Sequence, residues 1–454
     1  MIGGTTTGEP AAGSPAHART VSFTTLGCRL NQVESQEMAA LLERQGFRVA
    51  GDERPDVCVV NTCTVTGRAD LSDRQAIRRL ARENPGALLV VTGCYAQTDA
   101  DAVARIPGVD LVLGNLEKYR LPELLEGADK RAAPAVHVGD VSGARGVPRA
   151  PFARVTGRSR AFVKVQDGCQ HRCAFCIVPA ARGASRSQEP KVVVDQVRLL
   201  VEAGYREVTL TGVDLGHYGW DLAPRGSLAG LVRAVEDEVP GLSWLRLSSI
   251  LPAYFTPELF DVIETSRALV PHFHVPLQSG SDRVLRIMRR PYNTRMYRRV
   301  IERLAARREV GLGADVIAGH PGETEADFAE TVALIADLPF SYLHVFSYSD
   351  RRGTEAARLG DRSAAATVTG RSRQLRALGA EKSLAFRRRL VGRTVPALVL
   401  ESRDRATGLL AGLTASYVEV ALAGPDGLGR RIVPVTVTEA VPGATRGRLA
   451  GEPA

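Results

Sequence analysis

The segment DGCQHRCAFC, residues 167–176, spaces Cys169, Cys173 and Cys176 as C-x3-C-x2-C. It follows the apolar run Ala161–Val165, which reads as a strand. Three thiolates so close, in a turn after a strand, can hold three irons of a cubane cluster. The fourth iron then lacks a protein ligand and is open to a substrate or cofactor. The alternative is zinc, whose structural sites take four N or S donors. His171, between the first two cysteines, is the fourth donor that reading needs.

Zinc knuckles sit in small loop-rich modules, and the residues that follow are β/α repeats. Strand-like runs recur at Val208–Leu210, Leu245–Leu247, Phe273–Val275, Ala314–Ile317 and Leu343–Phe346. Helical stretches such as Val192–Ala203, Ser227–Val239, Asp282–Arg289, Met296–Arg308 and Ala326–Ala336 separate them. Six repeats over roughly 190 residues fit a partial barrel, since a closed eightfold one takes ~250.

Upstream, residues 21 to 125 also alternate strand and helix. Strands are expected at Val21–Leu26, Val57–Val60 and Ala87–Val91. Helices are expected from Asn31, as a cap, to Gln45, and from Ser72 to Asn84 before Pro85. This is a parallel α/β pattern. Downstream, Thr394–Leu400, Gly408–Leu413, Tyr417–Leu422 and Arg431–Thr438 read as short strands with turns between them, a small OB-like β-barrel. The expected organisation is a disordered N-terminus (1–18), an α/β domain (19–127), a linker (128–154), the partial (β/α)6 barrel (155–386) and the all-β module (389–454).

Composition excludes other classes. The 454 residues are 44% hydrophobic and 24% charged, as in a soluble globular chain. No run approaches ~18 apolar residues, so no membrane span is expected. Residues 1–18 lack the pattern of a signal peptide, which points to the cytoplasm. Seven cysteines, an odd count, argue against a disulfide framework. Lys plus Arg is 59 against 50 acidic residues, and only five are Lys. Arginine binds phosphate in a bidentate fork and stacks on bases, so the excess suits an anionic partner. Arginines crowd positions 283–308 and 371–389. Most taken singly are solvated helix faces; together they suit phosphate contacts to a folded RNA.

Cys28, Cys63 and Cys94 each lie just beyond the C-terminal end of an expected parallel strand. Such ends meet in one crevice of an open α/β sheet. Three thiols from three loops thus converge, which suggests a second cluster with its own open iron. Cys58 sits inside the strand VCVV and reads as core packing.

The C-x3-C-x2-C motif on the first strand of a six-repeat partial barrel resembles the radical S-adenosylmethionine (SAM) superfamily. With the N-terminal trio, residues ~20 to ~450 resemble the methylthiotransferases. The motifs, in order, are TLGCRLNQVES, VNTCTVT, GCYAQ, VKVQDGC, CAFCIVPAARG, TGVDLGHYG, LRLSSI, HFHVPLQSGSDRVLRIMRR, DVIAGHPGETEADF and HVFSYSDRRGT. The final barrel is similar to the TRAM module, an RNA-binding fold. TLGCRLNQ, VNTCTVT, VQDGC, GVDLGHYG and VPLQSGSDRVLRIMRR look most like the branch acting on N6-threonylcarbamoyladenosine in tRNA.

The resemblance implies two [4Fe-4S] clusters. One, on Cys169, Cys173 and Cys176, chelates SAM and cleaves it to methionine and a 5′-deoxyadenosyl radical. The other, on Cys28, Cys63 and Cys94, carries a sulfur methylated by a second SAM, so each turnover uses two. The radical takes hydrogen from adenine C2, and the methylthio group is transferred there. The partners implied are the tRNA anticodon stem-loop, an electron donor such as flavodoxin or ferredoxin, and a sulfur donor. SAM-contact candidates are Asp214, Gln278, Ser279, and Gly319 and Glu323 of GHPGE; no catalytic residue beyond the cluster ligands is assigned. His320 stands where the family usually has an aromatic residue. His272 and His274 share one strand face as core or cavity lining. The alternatives are the branch acting on N6-isopentenyladenosine, a radical-SAM enzyme using its second cluster only for electron relay, and a non-enzymatic iron–sulfur RNA-binding sensor. Anaerobically reconstituted protein is therefore expected to hold about eight irons and eight sulfides by chemical analysis; about four would remove one cluster.

Overall fold

A computed structural model describes residues 18–451, apart from 52, 131–132, 155–157, 308 and 405–406. The expected disordered N-terminus lies, Ala18 excepted, outside the described residues, as does Arg308 of the arginine run.

The first unit runs β1 (Thr20–Thr25), α1 (Arg29–Arg44), β2 (Arg48–Val49), β3 (Val57–Thr62), α2 (Gly67–Glu83) and β4 (Leu88–Gly93). It continues with α3 (Cys94–Thr98), α4 (Ala100–Ala104), β5 (Leu111–Leu113), α5 (Leu121–Leu125) and β6 (Ala135–His137). The strands form one parallel sheet ordered β2-β1-β3-β4-β5-β6. β3 and β4 are buried at every position, as strands covered on both faces must be. The stretch expected as a linker thus supplies β6, a three-residue strand too short to show a period. α2 starts earlier than expected, because Thr66 caps it by accepting from the Ala69 amide. α1 also starts earlier: extended Cys28 takes the cap position. Asn31 instead turns its amide inward, donating to the Leu26 and Thr62 carbonyls at 2.8 Å each, and so ties β1 to β3.

The second unit contains β7 (Ala161–Lys164), β8 (Gln166–Asp167), α6 (Val178–Arg182), β9 (Arg186–Ser187), α7 (Pro190–Glu202), β10 (Glu207–Thr211) and α8 (Leu228–Glu238). Then come β11 (Trp244–Leu247), α9 (Pro257–Thr265), β12 (His272–His274), α10 (Asp282–Ile287), α11 (Thr294–Ala305), β13 (Gly311–Ala318), α12 (Glu325–Asp337) and β14 (Tyr342–Ser347). Six parallel strands form two three-stranded sheets, β11-β10-β7 and β12-β13-β14, joined by a Leu245–Leu269 bridge. The short antiparallel pair β8–β9 flanks the cysteine loop. Leu312, Ala314 and Val316 of β13 pack in the core with helix residues such as Tyr297, Leu304 and Ile335. Strand alternation then aims Gly313 and Asp315 into the lumen, with His272 and His274 of the paired β12.

α13 (Ala365–Arg388), a 24-residue helix not foreseen, packs along β14, where Gly379 lets Leu343 come close. It leads into β15 (Thr394–Arg403), β16 (Leu410–Thr414), β17 (Glu419–Leu422), β18 (Ile432–Val441) and β19 (Ala444–Leu449). These five close a barrel in the order β15-β16-β17-β19-β18. β19, absent from the four expected strands, closes it by pairing with both β17 and β18. The barrel docks on the second unit through Leu398 against Trp244 and Val270. Its Ala415–Tyr417 loop reaches the lumen floor, where a Cβ on Gly311 would meet the Ser416 carbonyl at 2.1 Å. No described helix is long and apolar enough to cross a membrane.

The first two units are joined by a buried ion network. Arg182 of α6 is 2% exposed. It donates to both Glu34 oxygens (2.9 and 3.1 Å), to Asn31 Oδ1 (2.7 Å) and to Asp167 Oδ1 (3.0 Å). Glu34 also meets Lys118 at 2.5 Å and Lys164 at 3.3 Å. Burial works against the Glu34 charge, but Arg182, Lys118 and Lys164 outweigh it and hold the carboxyl well below its usual range. Glu34→Gln or Arg182→Met is expected to cost about 3–5 kcal/mol in a denaturant melt, because each leaves uncompensated buried charge. A folded-state pKa below the unfolded one means this stabilisation is complete above the ordinary carboxylate pKa of ~4.3 and is lost on acidification below it. A wild-type melt equally stable at pH 3 and 7 would contradict the network's role.

Candidate functional site

Three strand ends of the first sheet carry one cysteine each. Cys28 follows β1, Cys63 follows β3 and Cys94 follows β4. Glycines let the chain turn there. Gly27 has φ +92°, and a Cβ on it would lie 2.4 Å from the Cys63 Cβ. Gly93 has φ +98°, and a Cβ on it would lie 2.4 Å from the Thr62 carbonyl. Cys63 and Cys94 are buried, and Cys28 is exposed. Burial first, then the neighbouring Cys94 and Cys28, push the Cys63 thiol up to about 12; burial likewise raises Cys94. Asp73 accepts the Cys63 amide at 2.9 Å. Asn31 Oδ1 lies 3.8 Å from the Cys28 sulfur, and Asn115 Nδ2 lies 4.0 Å from that of Cys94. Cys58 lies within β3 in the apolar core, beside Ser22.

The second trio sits on the loop between β8 and α6. Burial raises Cys169 to about 12, helped by Asp214, and Cys176 to about 11. Asp214 is buried, with Oδ2 3.9 Å from the Cys169 sulfur and 3.2 Å from His171 Nε2. His171 Nε2 also lies 2.9 Å from the Tyr254 hydroxyl, so its ring is engaged there. Arg290 donates to the Cys173 sulfur at 3.0 Å, and its NH2 has no partner among the described residues. The expected surface role of Arg290 is thereby corrected: it is half-buried, turned inward against the Tyr292 ring and the Cys173 sulfur. Other members of that run pair with acids, Arg283 with Asp327 and Arg303 with Glu264. Arg371 is likewise buried against Glu323.

The remaining candidates divide. Gln278, at φ 67°, exchanges backbone bonds with Asp315 and Ile317 at the end of β12. Ser279 is fully buried, and its hydroxyl lies 3.3 Å from that of Thr331. Glu323 accepts the Gly319 amide at 2.8 Å and Arg371 at 2.8 Å, bracing the GHPGE turn. His320 is buried edge-on to Phe175, which lies between Cys173 and Cys176, and to Tyr348. Burial lowers its pKa, so a neutral imidazole fills an aromatic's place. Sequence reasoning missed the roles of Arg182, Arg290, Asp73 and Tyr254; Arg182 and Arg290 lie inside quoted motifs, but the partners that give them their roles, Glu34 and Cys173, are remote in the chain.

Both trios fit iron–sulfur clusters. Thiols raised this far are neutral at pH 7, and soft metal ligation is what makes them thiolates. Among the described residues, the three sulfurs of neither cysteine set lie close enough together to share one metal ion. Zinc with ~2.3 Å bonds wants sulfurs about 3.8 Å apart, whereas a four-iron cubane spans more. The two sets also share one interface. Asn115, beside Cys94, donates to the Ala181 carbonyl at 2.7 Å, and Arg182 next to it holds Asn31 beside Cys28.

Comparison with known proteins agrees with this geometry. Residues 20–114 match the model described as Uncharacterized protein family UPF0004, and residues 163–335 match the Radical SAM superfamily. A threonylcarbamoyladenosine tRNA methylthiotransferase of Bacillus subtilis is 36% identical, over 93% of this chain and 94% of its own. The protein so named from Rickettsia prowazekii is 41% identical, over 74% and 77%. A tRNA-2-methylthio-N(6)-dimethylallyladenosine synthase of Mycobacterium bovis is 38% identical, over 96% and 88%. A radical S-adenosylmethionine methyltransferase structure from Kitasatospora setae shares the fold, with TM-score 0.53 and 18% identity over 75% of this chain and 74% of its own. Cys169→Ala, Cys173→Ala or Cys176→Ala is expected to halve the iron content and abolish SAM cleavage, and Cys58→Ala to keep all the iron. 5′-Deoxyadenosine made by the triple variant would overturn the SAM site.

Proposed function

We infer function from one premise: the chain belongs to the radical-SAM tRNA methylthiotransferases and is therefore an enzyme using SAM and a [4Fe-4S] cluster. Within that family, it converts N6-threonylcarbamoyladenosine beside the tRNA anticodon to the 2-methylthio derivative. The single observation that carries the mechanism is the pair of three-thiol sets in one interface. When bound, the clusters and SAM supply an electron, a hydrogen-abstracting radical and a methylthio sulfur.

The chain's own residues do the rest. Cys169, Cys173 and Cys176 hold one cluster, with the Arg290 cation against the Cys173 sulfur. Cys28, Cys63 and Cys94 hold the other. The Arg182–Glu34 network keeps the two sets in fixed relation and keeps water out between them. Asp214, His171 and Tyr254 form a hydrogen-bonded rim beside Cys169. The C-terminal barrel is the tRNA-gripping module, and a redox protein and a sulfur donor complete the cycle. The relatives named for threonylcarbamoyladenosine support that substrate over the dimethylallyl one.

Mass analysis of tRNA nucleosides tests this. Cells lacking the gene should lose 2-methylthio-N6-threonylcarbamoyladenosine and retain its unthiolated precursor. Loss of the isopentenyl derivative instead would assign the other branch, and no change would remove the activity.

A further inference from the structure

The lumen floor carries more positive charge than its neighbours neutralise. Arg29 opens α1, Arg160 precedes β7, and Arg246 lies on β11. Arg246 takes both oxygens of Glu207, at 2.9 and 3.1 Å, and Arg160 reaches the same carboxylate at 3.4 Å. Arg29 donates to the Tyr417 hydroxyl at 2.6 Å. The Arg29, Arg160 and Arg246 guanidiniums stand 5.7, 5.6 and 5.1 Å from the Tyr417 ring centre. Among the described residues, the ion pairs of Arg29, Arg160 and Arg246 draw on one carboxylate, Glu207.

Polar atoms above the floor also lack partners. Thr209 Oγ1, Ser248 Oγ and His272 Nδ1 are buried with none among the described residues. Thr209 pairs in register with Arg246, and Ser248 lies two residues beyond it, so all face the lumen. One step higher, His274 Nε2 and His344 Nδ1 lie 3.0 and 3.2 Å from Asp315 Oδ1. The His344 side chain is 56% exposed, so this level is open to a ligand.

Partly buried cations without counter-charge are costly unless an anion joins them. Arginine takes a carboxylate through two parallel N–H bonds. A threonylcarbamoyl group offers a carboxylate, a hydroxyl, a carbonyl and two N–H donors. An isopentenyl group is hydrocarbon and would leave every one of these polar atoms unpaired, the arrangement that discriminates most strongly. We propose that Arg29 and Arg160, with His274, Asp315 and His344 above them, form the subsite that reads the anionic N6 side group of the substrate adenosine. The inference rests on the threonylcarbamoyladenosine reading above. An RNA phosphate has the same anionic chemistry, so the test separates the two sources.

Three anticodon stem-loops of one sequence serve as probes, bearing threonylcarbamoyl-, isopentenyl- or unmodified adenosine. Dissociation constants are measured on the full-length, iron-loaded protein. Wild type should prefer the threonylcarbamoyl probe over the unmodified one. Arg160→Gln, nine residues before Cys169, should keep the full iron content and lose about tenfold or more of that preference, as expected for a charged hydrogen bond, with the unmodified probe within about twofold. Arg29→Gln should do the same at full iron content. Equal weakening of all three probes would mean phosphate binding and overturn the subsite. A threonylcarbamoyl preference surviving both substitutions would overturn it too, leaving the substrate assignment standing. A wild-type protein with no such preference would overturn the substrate assignment itself.

Discussion

Arg182 is the contact on which the arrangement depends. It lies six residues after Cys176 and is buried against Glu34 and Asn31 of the first unit. One guanidinium thereby ties the segment that follows the C-x3-C-x2-C loop to the helix that starts after Cys28. A buried pair of this kind contributes little net stability compared with an apolar contact, but it tolerates few alternative geometries. Two cysteine sets on separate units need a fixed relation, and a fork of directional hydrogen bonds supplies it better than apolar packing does. Lys118 and Lys164 balance Glu34 and Glu37, so acid and base are matched deep in the interface.

The lumen floor differs in that its charges do not balance. Glu207 serves two arginines while Arg29 leans on a tyrosine hydroxyl. The C-terminal barrel takes part here, since Tyr417, at φ 69°, stacks on His272 with ring centres 4.3 Å apart. The module expected only to grip RNA thus also closes the barrel from below. All three units meet here, with Arg29 of the first, Arg160 and Arg246 of the second and Tyr417 of the C-terminal barrel grouped around one aromatic ring.

Much of the fold was legible in the residues. Strands Val57–Thr62 and Leu88–Gly93 begin as apolar runs, Val57–Val60 and Leu88–Val91, because both faces are covered. Helix starts were less legible. The reading from Asn31 failed because its side chain serves two strand-end carbonyls rather than a cap. β6 and β19 were missed because their partners, not their own composition, make them strands. Arg290 read as surface charge, since a run of arginines carries no mark of the one that turns inward to a sulfur.

The sequence by itself determined what is local. Three thiols on one loop form the C-x3-C-x2-C motif, and periods of two and 3.6 set the order of strands and helices. It also put three further cysteines at strand ends, because a parallel sheet gathers those ends on one edge. Only the tertiary structure decided how the two sets are joined. Glu34 and Arg182 lie 148 residues apart, and Arg29 and Tyr417 lie 388 apart. No local period records such a pairing, because burial and electrostatics act through space, on whichever side chains the packed elements bring together.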